Sequence, residues 1–239
     1  YIIRRSSNLS KQSHILAANL DLVVLVITIR YPETSTVFID RFIASAEAYN
    51  VPACILINKT DLYTEDEMQY AEALKTLYES IGYPVFMLSA IKPDTFDTFK
   101  QFLTGKTILI SGNSGVGKST LINAILPESL AKTGEISSYH NKGTHTTTFS
   151  QLYQLENGAQ LIDTPGIKGF GTVDMEADEI SHYFKEIFKT SKKCRFTNCT
   201  HVHEPGCAVL MAVENHQISL SRYQSYLSIL SDFKTGKYR

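Results

Sequence analysis

The 239-residue sequence lacks both a charge imbalance and a long apolar run. Its 23 basic residues nearly match its 24 acidic residues, and the net charge of −1 excludes an overall basic field that would attract nucleic acid. A nucleic-acid contact must therefore be local, and the densest basic cluster consists of Lys189, Lys192, Lys193 and Arg195. The longest apolar run, Leu22–Ile29, is far shorter than the roughly 20 residues of a membrane-spanning helix. It predicts a buried strand and no membrane segment.

Cysteine is scarce and unevenly placed. Cys194, Cys199 and Cys207 lie within one stretch of fourteen residues, whereas Cys54 stands alone in an apolar run. This distribution favours a metal site in a reducing compartment, as in the cytoplasm, over two disulfide bonds. With His201 the cluster reads Cys-x4-Cys-x-His-x5-Cys, which supplies the three thiolates and one imidazole of a closed tetrahedral zinc site. We therefore expect one structural Zn²⁺ ion rather than a catalytic metal.

The order of apolar runs and helical patterns predicts the fold class. Strand and helix patterns alternate along most of the chain, which is typical of an α/β fold with a doubly wound, mainly parallel sheet. After about residue 173 the pattern becomes helical, which indicates a small helical C-terminal domain around the Cys/His cluster. The predicted strands are Leu22–Ile29, Ala53–Ile57, Val85–Leu88, Thr107–Ser111, Ser150–Leu155 and Ala159–Ile162. The predicted helices are Val37–Tyr49, Glu65–Ile81, Thr95–Leu103, Lys118–Ile125, Glu176–Phe188, Ala208–Glu214 and Ser219–Phe233.

A glycine-rich motif follows the predicted strand Thr107–Ser111. It reads Gly112-Asn113-Ser114-Gly115-Val116-Gly117-Lys118-Ser119, with Thr120 next in the helix that it opens. Glycines let backbone N–H groups close around phosphates, and the helix adds its positive N-terminal end. We expect Lys118 to reach the β- and γ-phosphates and Ser119 to bind Mg²⁺. The strand before the motif and the helix after it distinguish it from a chance match in a glycine-rich turn.

A second nucleotide motif reads Asp163-Thr164-Pro165-Gly166 and follows the strand Ala159–Ile162. It would place the Asp163 carboxylate near Mg²⁺ and the Gly166 amide near the γ-phosphate. An Asp-x-x-Gly turn is common, but its position about fifty residues after a phosphate loop, at the end of a hairpin strand, supports this interpretation.

The motif Asn58-Lys59-Thr60-Asp61 indicates which nucleobase the site binds, and it lies before the phosphate loop in the chain. Guanine presents an N1–H and an exocyclic amine side by side, and the Asp61 carboxylate can accept from both. Adenine lacks that donor pair, and sites of this kind discriminate by roughly 10⁴-fold or more. Ser89-Ala90, after the next strand, would add a backbone N–H toward the guanine O6. An ordinary GTPase has its phosphate loop first, so the motifs here are cyclically reordered.

With this permuted order the chain resembles the circularly permuted GTPases, and most closely the RsgA (YjeQ) family of small-ribosomal-subunit biogenesis GTPases. The resemblance also rests on Gly143-Thr144-His145-Thr146-Thr147-Thr148 and on the Cys/His block that ends Glu204-Pro205-Gly206-Cys207-Ala208-Val209. It implies His201 rather than the neighbouring His203 as the fourth zinc ligand. It also implies the small ribosomal subunit and its rRNA as partners, with action late in subunit maturation.

The same resemblance implies an N-terminal OB-fold domain in family members. Tyr1 is not Met and begins no signal-peptide pattern, so we expect the chain to start partway through a longer protein. We interpret residues 1–15 as the tail of an OB-fold domain, 16–173 as the permuted GTPase domain and 174–239 as the helical zinc-binding domain. We further expect a monomer.

The residue after Gly166 is Ile167, where many GTPases have a glutamine that orients the attacking water. Isoleucine cannot orient water, so we predict slow intrinsic hydrolysis. The resemblance implies that His145 takes this role, and that Thr147 closes over Mg²⁺ and the γ-phosphate. The alternative function is a nucleotide-gated RNA- or protein-binding module with negligible catalysis. An ATP-dependent kinase is disfavoured by the guanine motif.

Overall fold

The computed structural model describes residues 2–5, 13–92, 95–126, 151–163 and 176–234. A six-stranded sheet dominates it, and a separate pair of antiparallel strands, β1 (Ile2–Arg5) and β2 (Ser13–Ala17), lies at the N-terminus. The strands of the large sheet are β3 (Leu22–Ile27), β4 (Ala53–Ile57), β5 (Val85–Met87), β6 (Thr107–Ser111), β7 (Gln151–Gln154) and β8 (Gln160–Asp163).

The large sheet has the strand order β5-β4-β3-β6-β8-β7. All neighbouring pairs are parallel except β7 and β8, which form an antiparallel hairpin at the edge. The chain moves outward from β3 through β4 to β5 and then returns to the other side of β3 at β6. This reversal between β3 and β6 creates the crevice at the strand carboxyl ends where ligands of doubly wound sheets bind.

The described helices are α1 (Thr36–Ala48), α2 (Glu65–Ile81), α3 (Asp97–Leu103), α4 (Lys118–Ile125), α5 (Lys185–Ser191), α6 (Ala208–Glu214) and α7 (Leu220–Lys234). Short 3₁₀ helices span Thr60–Leu62 and Ile180–Tyr183. Among the described residues, no helix is both long and apolar enough to cross a bilayer.

The central strands are buried on both faces because helices cover the sheet from both sides. One side of the sheet packs on α1 and α2 through Ile39, Phe42 and Leu74. The other side packs on α3 and α4 through Phe99 and Leu121. The predicted α/β fold with a mainly parallel sheet and a helical C-terminal part is confirmed.

Most predicted elements agree with the structure to within two residues, but one helix was wrong. The sequence predicted a continuous helix over Glu176–Phe188, whereas the structure has a turn, the 3₁₀ helix Ile180–Tyr183 and then α5. Phe184 breaks the helix because its backbone is extended (φ −113°, ψ 97°). Its side chain is fully buried, and its ring meets the ring of Tyr226 edge-on at 5.7 Å between centroids. Tertiary packing at Phe184 therefore overrides a helical pattern.

A buried ion-pair network joins the C-terminal helices to the sheet domain. Arg222 of α7 donates to Asp40 of α1 at 2.6 Å and to Glu186 of α5 at 2.7 Å. The Tyr78 hydroxyl of α2 donates to the same Asp40 oxygen at 2.8 Å. The Arg222 guanidinium also lies 4.6 Å from the centre of the Phe184 ring, an attractive cation–π geometry.

Candidate nucleotide site and metal centre

The candidate nucleotide site lies at the carboxyl ends of β4, β5 and β6, where three predicted motif loops meet around Asn58. The Asn58 side chain is buried, with 1% of its surface exposed. Its amide Nδ2 donates to the Val116 carbonyl at 2.9 Å, and its Oδ1 accepts from the Ala90 N–H at 3.0 Å. One amide thus fixes the guanine motif, the Ser89-Ala90 loop and the phosphate loop relative to one another.

The sequence predicted a backbone N–H of Ser89-Ala90 directed toward the guanine O6, and the Ala90 N–H differs from this in one respect. In the structure that N–H donates to Asn58 instead. Its contact with guanine stays a prediction.

Lys59 joins the guanine motif to two other loops through its ammonium group. Its Nζ donates to the carbonyl of Gly115, at 2.7 Å, and to the carbonyl of Tyr31. Its backbone is left-handed, with φ +64°. The Lys59 side chain therefore braces the phosphate loop rather than facing solvent freely.

Asp61 is held in place by the neighbouring motif. Its Oδ1 accepts a hydrogen bond from the hydroxyl of Ser89, which is 1% exposed. Asp61 itself is partly exposed. A carboxylate with one oxygen anchored by a buried hydroxyl is preorganised to accept hydrogen bonds from a planar base.

At two positions of the phosphate loop, neighbouring atoms lie so close that there is no room for a Cβ atom. At Gly112 (φ +148°) a Cβ atom would lie 2.3 Å from the Val26 carbonyl oxygen. At Gly117 (φ +94°) it would lie 2.5 Å from Asn58 Nδ2. Both distances are below any real Cβ contact, so only glycine lets the loop pack against β3 and against the guanine motif.

Lys118 opens α4 and places its ammonium within the phosphate loop. Its Nζ donates to the carbonyls of Gly112 at 2.8 Å and Asn113 at 2.7 Å. Burial lowers the pKa of Lys118, and the charge of Asp163 opposes that shift. The Lys118 ammonium lies beside the N-terminus of α4, and the Asp163 carboxylate lies near it on β8. This arrangement suits a polyphosphate, which the lysine and the helix N-terminus would bind, together with Mg²⁺.

The remaining predicted nucleotide residues are placed only in part. Ser119 and Thr120 are the second and third residues of α4, and Ser114 is an exposed residue of the loop. Asp163 ends β8 and is paired in register with Ile110 of β6, so it lies on the strand next to the phosphate loop. Gly166, His145 and Thr147 lie outside the described residues, as does Ile167, and their predicted roles stay predictions.

The candidate metal centre is formed by Cys194, Cys199, His201 and Cys207, whose ligand atoms all lie within 4.8 Å of one another. His201 Nδ1 lies 3.6 Å from Cys194 Sγ and 3.5 Å from Cys207 Sγ. His201 is buried, whereas His203 is exposed and outside the cluster. The structure thus brings together the four residues predicted from the sequence, and Nδ1 is the imidazole atom that faces the thiols.

The chemistry of this donor set fits Zn²⁺. Three sulfurs and one imidazole nitrogen can surround one ion tetrahedrally and leave no open position. Burial raises the pKa of the Cys199 thiol to about 12 and raises that of Cys207. A divalent ion would offset this cost, because it binds the thiolate form.

The loop that carries His201 is anchored by side chains from outside it. The hydroxyls of Tyr223 and Tyr226 donate to the carbonyls of His201 and Thr200, at 2.7 Å and 2.8 Å. The Glu204 carboxylate accepts from the N–H groups of Thr200, Val202 and His203. Burial would raise the pKa of Glu204, but hydrogen bonds from the Thr200 hydroxyl and from backbone N–H groups hold it well below its usual range. They fix a turn in which His201 adopts φ +58°.

Sequence reasoning missed Tyr63, which lies two residues after Asp61. Its hydroxyl accepts from the N–H of Ile29 at 2.9 Å and donates to the carbonyl of Asn58. No pattern in the sequence distinguishes this tyrosine from an ordinary residue before a helix.

A mainly parallel sheet whose guanine-motif strand β4 precedes its phosphate-loop strand β6 defines a circularly permuted P-loop GTPase. A model of the RsgA GTPase family matches residues 2–173. The chain belongs to the RsgA GTPase family and is a GTP-hydrolysing enzyme. Membership implies GTP and GDP as its nucleotides and Mg²⁺ as their companion ion.

Individual relatives agree with this assignment. A Phocaeicola vulgatus protein named small ribosomal subunit biogenesis GTPase RsgA is 65% identical over 239 residues, covering 100% of this chain and 77% of the relative. A Porphyromonas gingivalis protein of the same name is 57% identical over 242 residues, with the same two coverages.

Two solved structures are similar in fold. YjeQ from Thermotoga maritima superposes with a TM-score of 0.76 at 37% identity, covering 90% of this chain and 72% of that one. YloQ, described as a circularly permuted GTPase, gives a TM-score of 0.76 at 29% identity, covering 92% and 70%.

Proposed function

We propose that this protein hydrolyses GTP during late maturation of the small ribosomal subunit and leaves the subunit after hydrolysis. The observation that carries the proposal is the meeting of three motif loops around Asn58. The ribosomal part is supported by relatives that are 57–65% identical and are named for small-subunit biogenesis. A role in ribosome maturation also supports a cytoplasmic location for the protein. We further propose that the protein acts as a monomer.

In this proposal the nucleotide is held from both ends. Asp61 accepts from the guanine N1–H and exocyclic amine, while Lys118 and the amides of residues 112–117 bind the phosphates. Ser119, Asp163 and Thr147 hold Mg²⁺, which neutralises phosphate charge when bound, and the Gly166 amide contacts the γ-phosphate. The contribution of this chain is preorganisation, because Asn58 and Lys59 fix the loops before nucleotide binds.

Hydrolysis in this proposal depends on His145, which would orient the attacking water in place of the absent glutamine at Ile167. Intrinsic turnover is then slow, and contact with the small subunit accelerates it. The test is single-turnover GTP hydrolysis with and without purified small subunits. A large rise supports the proposal, and the rise must disappear in Lys118→Ala. No rise in the wild-type chain contradicts subunit stimulation and favours a gated binder.

The Cys/His cluster in this proposal binds one structural Zn²⁺ through Cys194, Cys199, His201 and Cys207. This is supported by the closeness of their ligand atoms, which all lie within 4.8 Å of one another. The ion would hold the loop between α5 and α6 and so shape the surface of the C-terminal helices. Elemental analysis that finds one zinc per chain supports this, and a metal-free folded protein contradicts it.

We propose that rRNA contacts a surface formed by α5 and this zinc loop, here called the basic–aromatic surface: Phe188, Lys189, Lys192, Lys193, Arg195 and Phe196. The Lys192 ammonium lies 5.1 Å from the centre of the Phe188 ring, and the Arg195 guanidinium lies 5.5 Å from that of Phe196. Phe188 and Phe196 are 39% and 41% exposed. Exposed rings beside cations can stack on unpaired bases while the charges contact phosphates.

The test of this surface is binding to small subunits at several salt concentrations. Replacing Lys192 and Arg195 with Glu should weaken binding and flatten its salt dependence, because fewer counterions are released. The control replaces Lys75 and Lys100, which lie on α2 and α3, in the same way. Equal effects of both pairs would contradict a local rRNA surface.

A further inference from the structure

Tyr63 occupies a hydrogen-bonding position between two strands of the sheet. β3 and β4 pair in parallel up to Ile27 and Ile57, and the Asn58 N–H still donates to the Ile27 carbonyl at 2.9 Å. In a parallel ladder the next bond would run from the Ile29 N–H to the Asn58 carbonyl. The Tyr63 hydroxyl takes this place, since it accepts from the Ile29 N–H at 2.9 Å and donates to the Asn58 carbonyl.

The hydroxyl therefore separates the ends of β3 and β4 while both backbone groups stay hydrogen-bonded. Burial raises the pKa of Tyr63 to about 12, so the hydroxyl keeps the proton that it donates. The residue is anchored from the other side, because Thr64 begins the capping box of α2 with Glu67. Glu67 also pairs with Arg30, the residue after Ile29, at 3.0 Å.

The separated strand ends belong to the nucleotide site. Asn58 binds Ala90 and Val116 through its side chain, so the position of its backbone sets the spacing of three motif loops. Asp61 lies between Asn58 and Tyr63 in the chain, and the hydroxyl contact ties the two ends of this segment together. A change at the hydroxyl would move the Asp61 carboxylate relative to the phosphate loop.

We propose that Tyr63 is a positioning residue for guanine recognition, whose hydroxyl holds the ends of β3 and β4 at the spacing that aims Asp61 at the base. The proposal rests on the guanine site proposed above. Without the hydroxyl, either two polar backbone groups lose their partner, or the strands close and form the direct Ile29–Asn58 bond. Both outcomes displace the guanine motif.

The experiment measures the dissociation constants of GDP and IDP for the wild-type chain and for Tyr63→Phe. Hypoxanthine, the base of IDP, lacks the exocyclic amine that Asp61 would accept from, so the GDP-over-IDP preference reports the aim of Asp61. The preference should fall by roughly three- to tenfold in Tyr63→Phe, as expected for the loss of about one hydrogen bond. Tyr70→Phe, on the 49%-exposed Tyr70 of α2, is the matched control and should leave the preference unchanged.

A ratio of two affinities does not change when a variant is merely less stable, because both nucleotides see the same folded fraction. An unchanged preference in Tyr63→Phe overturns the proposal while leaving the guanine site intact. A wild-type chain without any GDP-over-IDP preference overturns the guanine site itself.

A second measurement needs no variant. The Ile29 amide of the wild-type chain should exchange slowly with deuterium, because its N–H is bonded to the hydroxyl. Exchange at the rate of an open loop would overturn the proposal.

Discussion

The guanidinium of Arg222 and the carboxylate of Asp40 form a buried ion pair across 182 residues of chain, with Nη1 and Oδ1 2.6 Å apart. Arg222 is 1% exposed and Asp40 is fully buried. Glu186 and Tyr78 complete the network, so helices α1, α2, α5 and α7 all contribute to it. The network joins α5 and α7, which lie before and after the metal centre in the chain, to the helices α1 and α2 that cover the sheet.

Replacing Arg222 with Met should destabilise the protein by roughly 3–5 kcal/mol, because the Asp40 carboxylate would remain buried without its partner. The measurement is the free energy of unfolding from urea titration. The control is Arg30→Met, which removes the exposed pair with Glu67 and should leave the urea midpoint nearly unchanged. Equal effects of both variants would contradict the importance of the buried network.

The same variant predicts a pH dependence. Burial raises the pKa of Asp40, and the charge of Arg222 lowers it. Without Arg222 the folded-state pKa of Asp40 rises further above its unfolded value, so stability is higher below that unfolded value and is lost as the pH rises. The stability deficit of Arg222→Met relative to wild type should therefore be largest at neutral pH and shrink as the pH falls. A deficit that grows on acidification would contradict this.

Gly117→Ala should weaken GDP binding by at least about tenfold, the equivalent of about 1.4 kcal/mol. The added Cβ would lie 2.5 Å from Asn58 Nδ2, so the loops that meet at Asn58 must move apart. Gly105→Ala is the control: Gly105 also has a positive φ (+67°), but its Cβ would meet nothing within 4 Å. It should cost stability without changing the affinity for GDP, which fluorescence titration can measure.

His201→Ala should lose zinc and lower the melting temperature, because the metal centre would keep only three ligands and the ion would no longer stabilise the loop. Each kcal/mol lost corresponds to a shift of about 2–4 °C for a chain of this size. His203→Ala, two residues away and exposed, should retain one zinc per chain and the wild-type melting temperature. Zinc retained by His201→Ala would exclude it as a ligand.

His145→Ala should reduce subunit-stimulated GTP turnover while sparing GDP affinity, because the proposed role of His145 is to orient water and not to hold nucleotide. A removed general acid–base or water-orienting group costs typically 10²–10⁴-fold in rate. His140→Ala, in the same stretch of sequence, serves as the matched control. Unchanged stimulated turnover in His145→Ala would end this assignment.

The sequence predicted the elements whose limits are set locally. Helix α2 begins and ends at the predicted residues, and the structure shows that both limits are local: Thr64 and Glu67 form a capping box, and Gly82 ends the helix with φ +97°. The Cys/His cluster was also predictable, since all its ligands lie within one short stretch. The break at Phe184 was not, because burial against Tyr226 overrides a helical pattern. The roles of Tyr63 and Arg222 each depend on a partner more than thirty residues away, Ile29 and Asp40, which no local pattern identifies.

The most direct test of the guanine site uses the small-subunit-stimulated assay with GTP and XTP as alternative substrates. Xanthine has a carbonyl where guanine has its exocyclic amine, so an amide at position 61 should pair with it better than a carboxylate does. Guanine recognition by Asp61 predicts that the wild-type chain hydrolyses GTP in preference to XTP, and that Asp61→Asn reverses the preference by roughly 10²-fold or more. An Asp61→Asn variant that binds nucleotide and still prefers GTP would show that Asp61 does not recognise the base.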